Sequence, residues 1–329
     1  MPQTFAASDA VELAVVERSG FVESRHLGSA VVIGADGEVV EQLGDTAAPI
    51  LPRSTLKPLQ ALACLAAGAP LEGERLGLAT ASHSGTDRHV AVVRDILDSA
   101  GLDERALACP PDWPGDTSTR DAIVRAGGEG ERIRMNCSGK HAAMLLTCTV
   151  NGWDTAAYLD PTHPLQLHVR EVTERLIGER ASAVAVDGCG APIFAMSLTG
   201  LARAIHRIGG ASERSPFALH RQAATLVRAV REHPWTIAGP GRPDTIVIER
   251  LGVFAKGGAE GVTVMSTPDG ATVALKMLDG SGRATTAVAL RLLERAGALQ
   301  ASDVAEAMAS LPLAVMGGGH EVGAIRPAF

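Results

Sequence analysis

The chain has 329 residues, 46% of them hydrophobic and only 3% aromatic, so it can bury a large core built from Ala, Val, Leu and Ile. A formal charge of −7, with no basic run interleaved with aromatics, argues against a nucleic-acid surface. No apolar stretch approaches the ~20 residues of a spanning helix and no leader-like segment opens the sequence, which reads as a soluble cytoplasmic protein.

Residues 11–43 read as strands, Val11–Glu17, Ser29–Ile33 and Val39–Leu43, with Ala35-Asp36-Gly37 as a hairpin turn. A Leu- and Ala-rich helix follows Pro58. Leu76–Ala81 is a short buried strand or helix end that runs into Ser82-His83-Ser84-Gly85-Thr86. Asp87–Ala100 has helical periodicity, and Cys109–Asp116, with three prolines and Trp113, reads as an irregular loop. Further helices are expected at Ala142–Val150, 161–178, about 194–207, 216–232 and Ala284–Arg295. Ala183–Val186, Thr245–Leu251 and Val253–Ala255 read as strands, and Val262–Ser266 with Ala271–Lys276 as another hairpin. Antiparallel hairpins at both ends around a helical middle favour an α+β or three-layer α/β/α sandwich over a doubly wound parallel sheet. One domain over 1–329 is expected, with a helical subregion around 85–240. No glycine-rich phosphate loop follows a strand.

Ser54-x-x-Lys57 is the first chemical candidate. Both residues fall in or just before the first turn of the Pro58 helix and can share one face. A serine hydroxyl needs a base beside it, and a lysine serves if desolvation, a helix start or a second cation lowers its pKa. The same spacing carries acyl transfer in penicillin-binding proteins and serine β-lactamases. Ser54 also reads as an ordinary N-cap followed by a solvated lysine. Ser82-His83-Ser84 offers a second nucleophile or a proton relay, or an N-cap for the helix at Asp87. Lys256-Gly257-Gly258 ends a strand and suits an electropositive pocket, or a solvated turn; it resembles the Lys-Thr-Gly element of β-lactamases, although no Ser-Asp-Asn element is present.

Five cysteines, an odd number, do not read as a disulfide framework. Cys64 and Cys148 lie in apolar runs. Cys137 and Cys189 lie in polar, Gly-containing segments and offer two thiolates to a zinc site or none, since spacing alone does not decide. Lysine is a rare metal ligand because it must lose its proton to bind. The histidines outside these motifs, His89 included, read as structural or surface groups.

Together these segments resemble one family, the rhizobial-type, thermolabile, zinc-binding L-asparaginases. The matching motifs are Arg53-Ser54-x-x-Lys57-Pro58-x-Gln60-Ala61-Leu62, Ala81-Ser82-His83-Ser84 with Asp87-Arg88-His89, Asn136-Cys137-Ser138-Gly139-Lys140-His141, Asp187-Gly188-Cys189, and Lys256-x-Gly258-Ala259. The resemblance runs from Gly20 to Lys276. It implies a fold similar to serine β-lactamases, a homodimer, and hydrolysis of the side-chain amide of L-asparagine to L-aspartate and ammonia. It implies two serine–lysine tandems, Ser54 with Lys57 and Ser82 with Lys256, the first serine being the nucleophile. It also implies Cys137, Lys140 and Cys189 as zinc ligands, with water completing the site and the ion tuning affinity; no organic cofactor is expected. Asp187 and His141 are then expected at the substrate's α-amino and α-carboxylate groups, with Arg53, His83 and Asp244 also at the substrate. Two departures stand out. Some members carry a cysteine where this chain has Asp244, and their counterpart of the Cys109–Asp116 loop differs. Two other functions remain open on the residues alone: a serine acyl-hydrolase of another small amide or peptide-like substrate, and a catalytically silent small-metabolite binding protein.

Overall fold

β-Branched residues crowd the first strands, and there the chain is extended. In the computed structural model, which describes residues 3–329, β1 (Val11–Arg18), β2 (Phe21–Ile33) and β3 (Val39–Leu43) form a meander. β4 (Pro49–Ile50) and a 3-10 turn (Arg53–Leu56) lead into α1 (Lys57–Ala66). Next come α2 (Gly73–Ala79), α3 (Asp87–Ser99), α4 (Thr117–Arg125), α5 (Ser138–Asn151) and α6 (Pro164–Ile177). β5 (Ala183–Val186) and β6 (Pro192–Ser197) pair, then α7 (Leu198–Gly209), α8 (Ala218–Glu232) and α9 (Pro243–Leu251) follow. β7 (Phe254–Gly258), β8 (Val262–Ser266) and β9 (Thr272–Met277) form a second meander, before α10 (Thr285–Arg295), α11 (Ala301–Ala309), β10 (Ala314–Gly317) and β11 (His320–Pro327).

The main sheet is antiparallel, in the order β10-β11-β1-β2-β9-β8-β7, with β3 also paired to β2. The seam that joins the two ends of the chain is β2–β9, in register from Gly28 opposite Met277 to Ile33 opposite Thr272. Every residue of β8 and β9 is buried. Successive side chains of a strand point to opposite faces, so complete burial requires cover on both. α7 packs on β9 and β2, and α10 packs on β9 and β8. The result is the expected three-layer sandwich. β4, β6 and β5 make a separate small sheet beside the Arg53 turn.

Several elements differ from their sequence reading. Thr245–Leu251 belongs to α9, despite its β-branched run. Pro243 sits in the first turn, where its fixed φ suits a helix, and Gly252 at φ +62° ends it in the left-handed region. Helical winding buries Thr245, Val247 and Ile248 together, and packing overrides their weak propensity. Leu76–Ala79 ends α2, the helix end that its sequence reading offered beside a strand. β6 occupies residues expected to open a helix at about 194; the helix starts only after Ser197, whose hydroxyl accepts from Gly200 N at 2.9 Å. α4, α11 and the β10–β11 hairpin had no counterpart in the sequence reading. Among the described residues, no helix is long and apolar enough to cross a membrane.

Candidate active site

Ser54 does not cap α1. It lies in the 3-10 turn, and neither that turn nor α1 takes a side-chain cap. Arg53, just before it, has φ +52°, a left-handed conformation that costs a non-glycine residue about 1–2 kcal/mol. Strain of this kind collects where a side chain must be held for function. Ser82 is not a cap either, because α3 is capped by Thr86. Lys57 and Lys256 are each only 1% exposed, so neither is a solvated turn lysine.

The two lysines meet at one hydroxyl. Lys57 Nζ donates to Ser82 Oγ at 2.9 Å and to the Ala81 carbonyl. Lys256 Nζ donates to Ser82 Oγ at 3.0 Å and to the Gly257 carbonyl. The pairing therefore differs from two separate tandems: Ser82 bridges both lysines, and no hydrogen bond joins the Ser54 hydroxyl to Lys57 among the described residues. Burial pushes Lys256 down to about 8; Asp244 opposes the fall and the Lys57 charge adds to it.

Ser82 lines a cavity of about 360 Å³, together with Asn136, Trp113, Arg242, Asp244 and Gly258. This is the low end of the size range of small-molecule sites. A Cβ on Gly258 would lie 3.2 Å from both Pro52 O and Ser54 N, so β7 comes close to the Ser54 turn only because this residue is glycine. Asp244 Oδ2 accepts from Gly257 N at 2.7 Å and lies 4.0 Å from Lys256 Nζ. Arg242 donates to the Gly115 carbonyl and ties the Cys109–Asp116 loop to α9. Roles for Asn136, Trp113 and Arg242 were missed in the sequence. A tryptophan in a triple-proline loop was the available signal for Trp113.

Of the residues expected at the substrate, His83 and Asp244 line this cavity, whereas Arg53, Asp187 and His141 do not. The His83 ring is committed elsewhere: Nδ1 accepts from Gly85 N at 3.1 Å and Nε2 pairs with Ser138 Oγ at 2.9 Å. It shapes the loop after Ser82 and has no ring nitrogen left for a substrate. His141 is fully buried, with Nδ1 2.6 Å from Tyr158 Oη and Nε2 without a partner. Burial holds its pKa well below the usual histidine value, and the Lys140 and Lys57 charges deepen the fall, so it is neutral. Arg53 Nε donates to Asp187 Oδ1 at 2.7 Å. Burial would raise the Asp187 pKa, but Arg53 and Lys140 outweigh it and hold the carboxyl below its usual value.

Cys137 Sγ, Cys189 Sγ and an Asp187 carboxylate oxygen lie within 4.8 Å of one another, all buried. Lys140 Nζ donates to Cys189 Sγ at 3.0 Å. Burial works to lower the Lys140 pKa, but the Cys189 and Cys137 charges overcome it and keep this lysine an ammonium. The Cys137 thiol is acidified, first by a hydrogen bond from Cys189 and then, against burial, by the Lys57 and Lys140 charges; Cys189 is pushed up in turn. Two sulfurs and one hard oxygen at this spacing fit a zinc ion. Lys140 Nζ contacts one of the same sulfurs, and a lysine ligates a metal only as the neutral amine.

A scan against protein families matches residues 14–327 to the family described as L-asparaginase II. A family match over nearly the whole chain defines the class, and the chain belongs to the L-asparaginase II family. None of the curated protein sequences compared matched. Among solved structures, the chain is similar to Mglu, at 13% identity and a TM-score of 0.45 over 82% of this chain and 67% of that one. Other Mglu structures are spanned over 61–63% of their length. A Bacillus glutaminase matches at 12% identity and a TM-score of 0.46, covering 82% of this chain and 91% of that one. A β-lactamase from Mycobacterium bovis matches at 16% identity and a TM-score of 0.41, covering 82% and 94%.

Proposed function

We propose that the protein is an amidohydrolase that converts L-asparagine and water to L-aspartate and ammonia through an acyl-enzyme on Ser54. The observation that carries this reading is the meeting of two buried lysines, Lys57 and Lys256, at the half-buried Ser82, which lines the cavity together with Gly258, the residue packed against the uncapped Ser54 turn. Ser54 Oγ attacks the amide carbonyl while neutral Lys57 takes its proton. Backbone N–H groups at the start of the turn lack intrahelical partners and stabilise the oxyanion that forms. The C–N bond then breaks, and the amine leaves as ammonia with the proton returned through Lys57. Ser82 passes protons between the two lysines. A water molecule attacks the resulting ester, again with Lys57 as base, and aspartate leaves.

A zinc ion fits Cys137, Cys189 and Asp187, with Lys140 balancing the sulfur charge. Its positive charge would attract the α-carboxylate of a zwitterionic amino-acid substrate, and no step passes through it. The Arg53–Asp187 pair links this cluster to the residue before Ser54. We infer a homodimer from the family resemblance, testable by light scattering.

Ammonia release from L-asparagine and L-glutamine, with and without zinc, tests the reading in wild type and Ser54→Ala. Asparagine-selective release that Ser54→Ala abolishes supports it. Release from other small amides alone makes the protein a different serine acyl-hydrolase, and asparagine binding without turnover makes it a binding protein.

A further inference from the structure

Asp244 does more than line the cavity. Its Oδ2 accepts from the backbone N–H of Gly257, the residue after Lys256, at 2.7 Å. A Cβ on Gly257 would lie 3.2 Å from both carboxylate oxygens, so the carboxylate lies flat against β7. The same oxygen is 4.0 Å from Lys256 Nζ, and the Asp244 side chain is 13% exposed. The charged and titratable groups that face Lys256 are thus Asp244 from α9, Lys57 from α1 and Cys137 from the start of α5. Of these, Asp244 is the carboxylate, and it is anchored to the lysine's own strand.

We propose that Asp244 is a positioning residue for Lys256, holding this lysine against β7 and keeping it protonated, so that Lys256 is the proton-donating end of the Ser82 relay. This rests on the proposed amidohydrolase reading. The Asp244 charge is then matched locally by Lys256 and does not repel a substrate carboxylate. Burial favours the neutral amine, Lys57 adds to that, and Asp244 is the main opposing influence. An activity that needs Lys256 as an ammonium falls as pH rises through its pKa. Removing the Asp244 charge therefore moves the alkaline limb to lower pH.

Asp244→Asn tests this, because asparagine keeps an acceptor for the Gly257 N–H and removes only the charge. The readout is the titration midpoint of the Lys256 Cε resonance by ¹H–¹³C NMR, assigned with Lys256→Arg, beside the pH profile of kcat for ammonia release. The midpoint and the alkaline limb should both fall by about one pH unit or more, as expected for loss of an opposite charge 4–6 Å away or nearer. Asp244→Glu should restore both. A midpoint unchanged in Asp244→Asn overturns the proposal, as does an alkaline limb that moves upward. The NMR midpoint needs no substrate. A shifted midpoint in a protein that hydrolyses no amide keeps the Asp244–Lys256 coupling and removes the amidohydrolase reading instead.

Discussion

Lys57 and Lys256, from opposite ends of the chain, place their amines 2.9 and 3.0 Å from the same Ser82 oxygen. Two buried cations thus share one small hydroxyl, which is costly unless their protonation is divided. Ser82→Ala removes the shared atom and leaves both lysines. It should lower kcat by about 10²–10⁴-fold, the usual loss for acid–base groups, with little change in KM. Steady-state ammonia release checks this; wild-type kcat would remove Ser82 from the relay.

The depressed pKa of Lys256 also predicts a stability signature. Its value is about 8 in the folded protein against 10.5 for a free lysine. Between these limits the unfolded chain binds more protons than the folded one, so this group's contribution to stability rises with pH across the window. Below pH 8 the buried ammonium is a fixed penalty. Lys256→Met should lose this rise with pH. Urea unfolding of both proteins from pH 7 to 10.5 measures the difference, and parallel curves would contradict the assignment.

The metal proposal separates Asp187 from Lys140. Wild type should hold one zinc per chain, measured by elemental analysis after dialysis. Cys137→Ser and Cys189→Ser should lose it. Lys140→Met acts from outside the proposed ligand set and should weaken binding by about 10–100-fold, whereas Asp187→Asn should weaken it more. The reverse order for the last two variants would restore Lys140 as the ligand.

Gly258 tests the approach of β7 to the Ser54 turn. The methyl of Gly258→Ala meets backbone at 3.2 Å on Pro52 and Ser54, which cannot swing aside like a flexible side chain. Overpacking of this kind costs about 1–3 kcal/mol. Thermal melting should register that loss, and kcat should fall with it; an unchanged protein would mean that the strand and the turn are free to separate.

Much of the sheet was legible in the sequence because its strands announce themselves by β-branched runs between glycine turns, as Val39–Leu43 and Val262–Ser266 do. Thr245–Leu251 was not, because the same residue types are wound into a helix by a proline at its start and a left-handed glycine at its end. The motif residues could be listed from the sequence, but not how they meet. Nothing in Ser54-x-x-Lys57 shows that Lys57 turns to Ser82, or that Thr86 caps α3 and releases Ser82. The histidines of the motifs show the same limit: Gly85 and Ser138 take both ring nitrogens of His83, while Tyr158 takes Nδ1 of His141 and leaves its Nε2 unpartnered, arrangements that only the fold brings about.

The most direct test of the central claim is to trap the covalent intermediate. Wild-type protein mixed with L-asparagine, quenched in acid within milliseconds and digested should yield a Ser54 peptide heavier by one aspartyl group. Ser54→Ala should yield none, and no ammonia. An aspartyl group on Ser82 instead, or continued turnover by Ser54→Ala, would contradict the account.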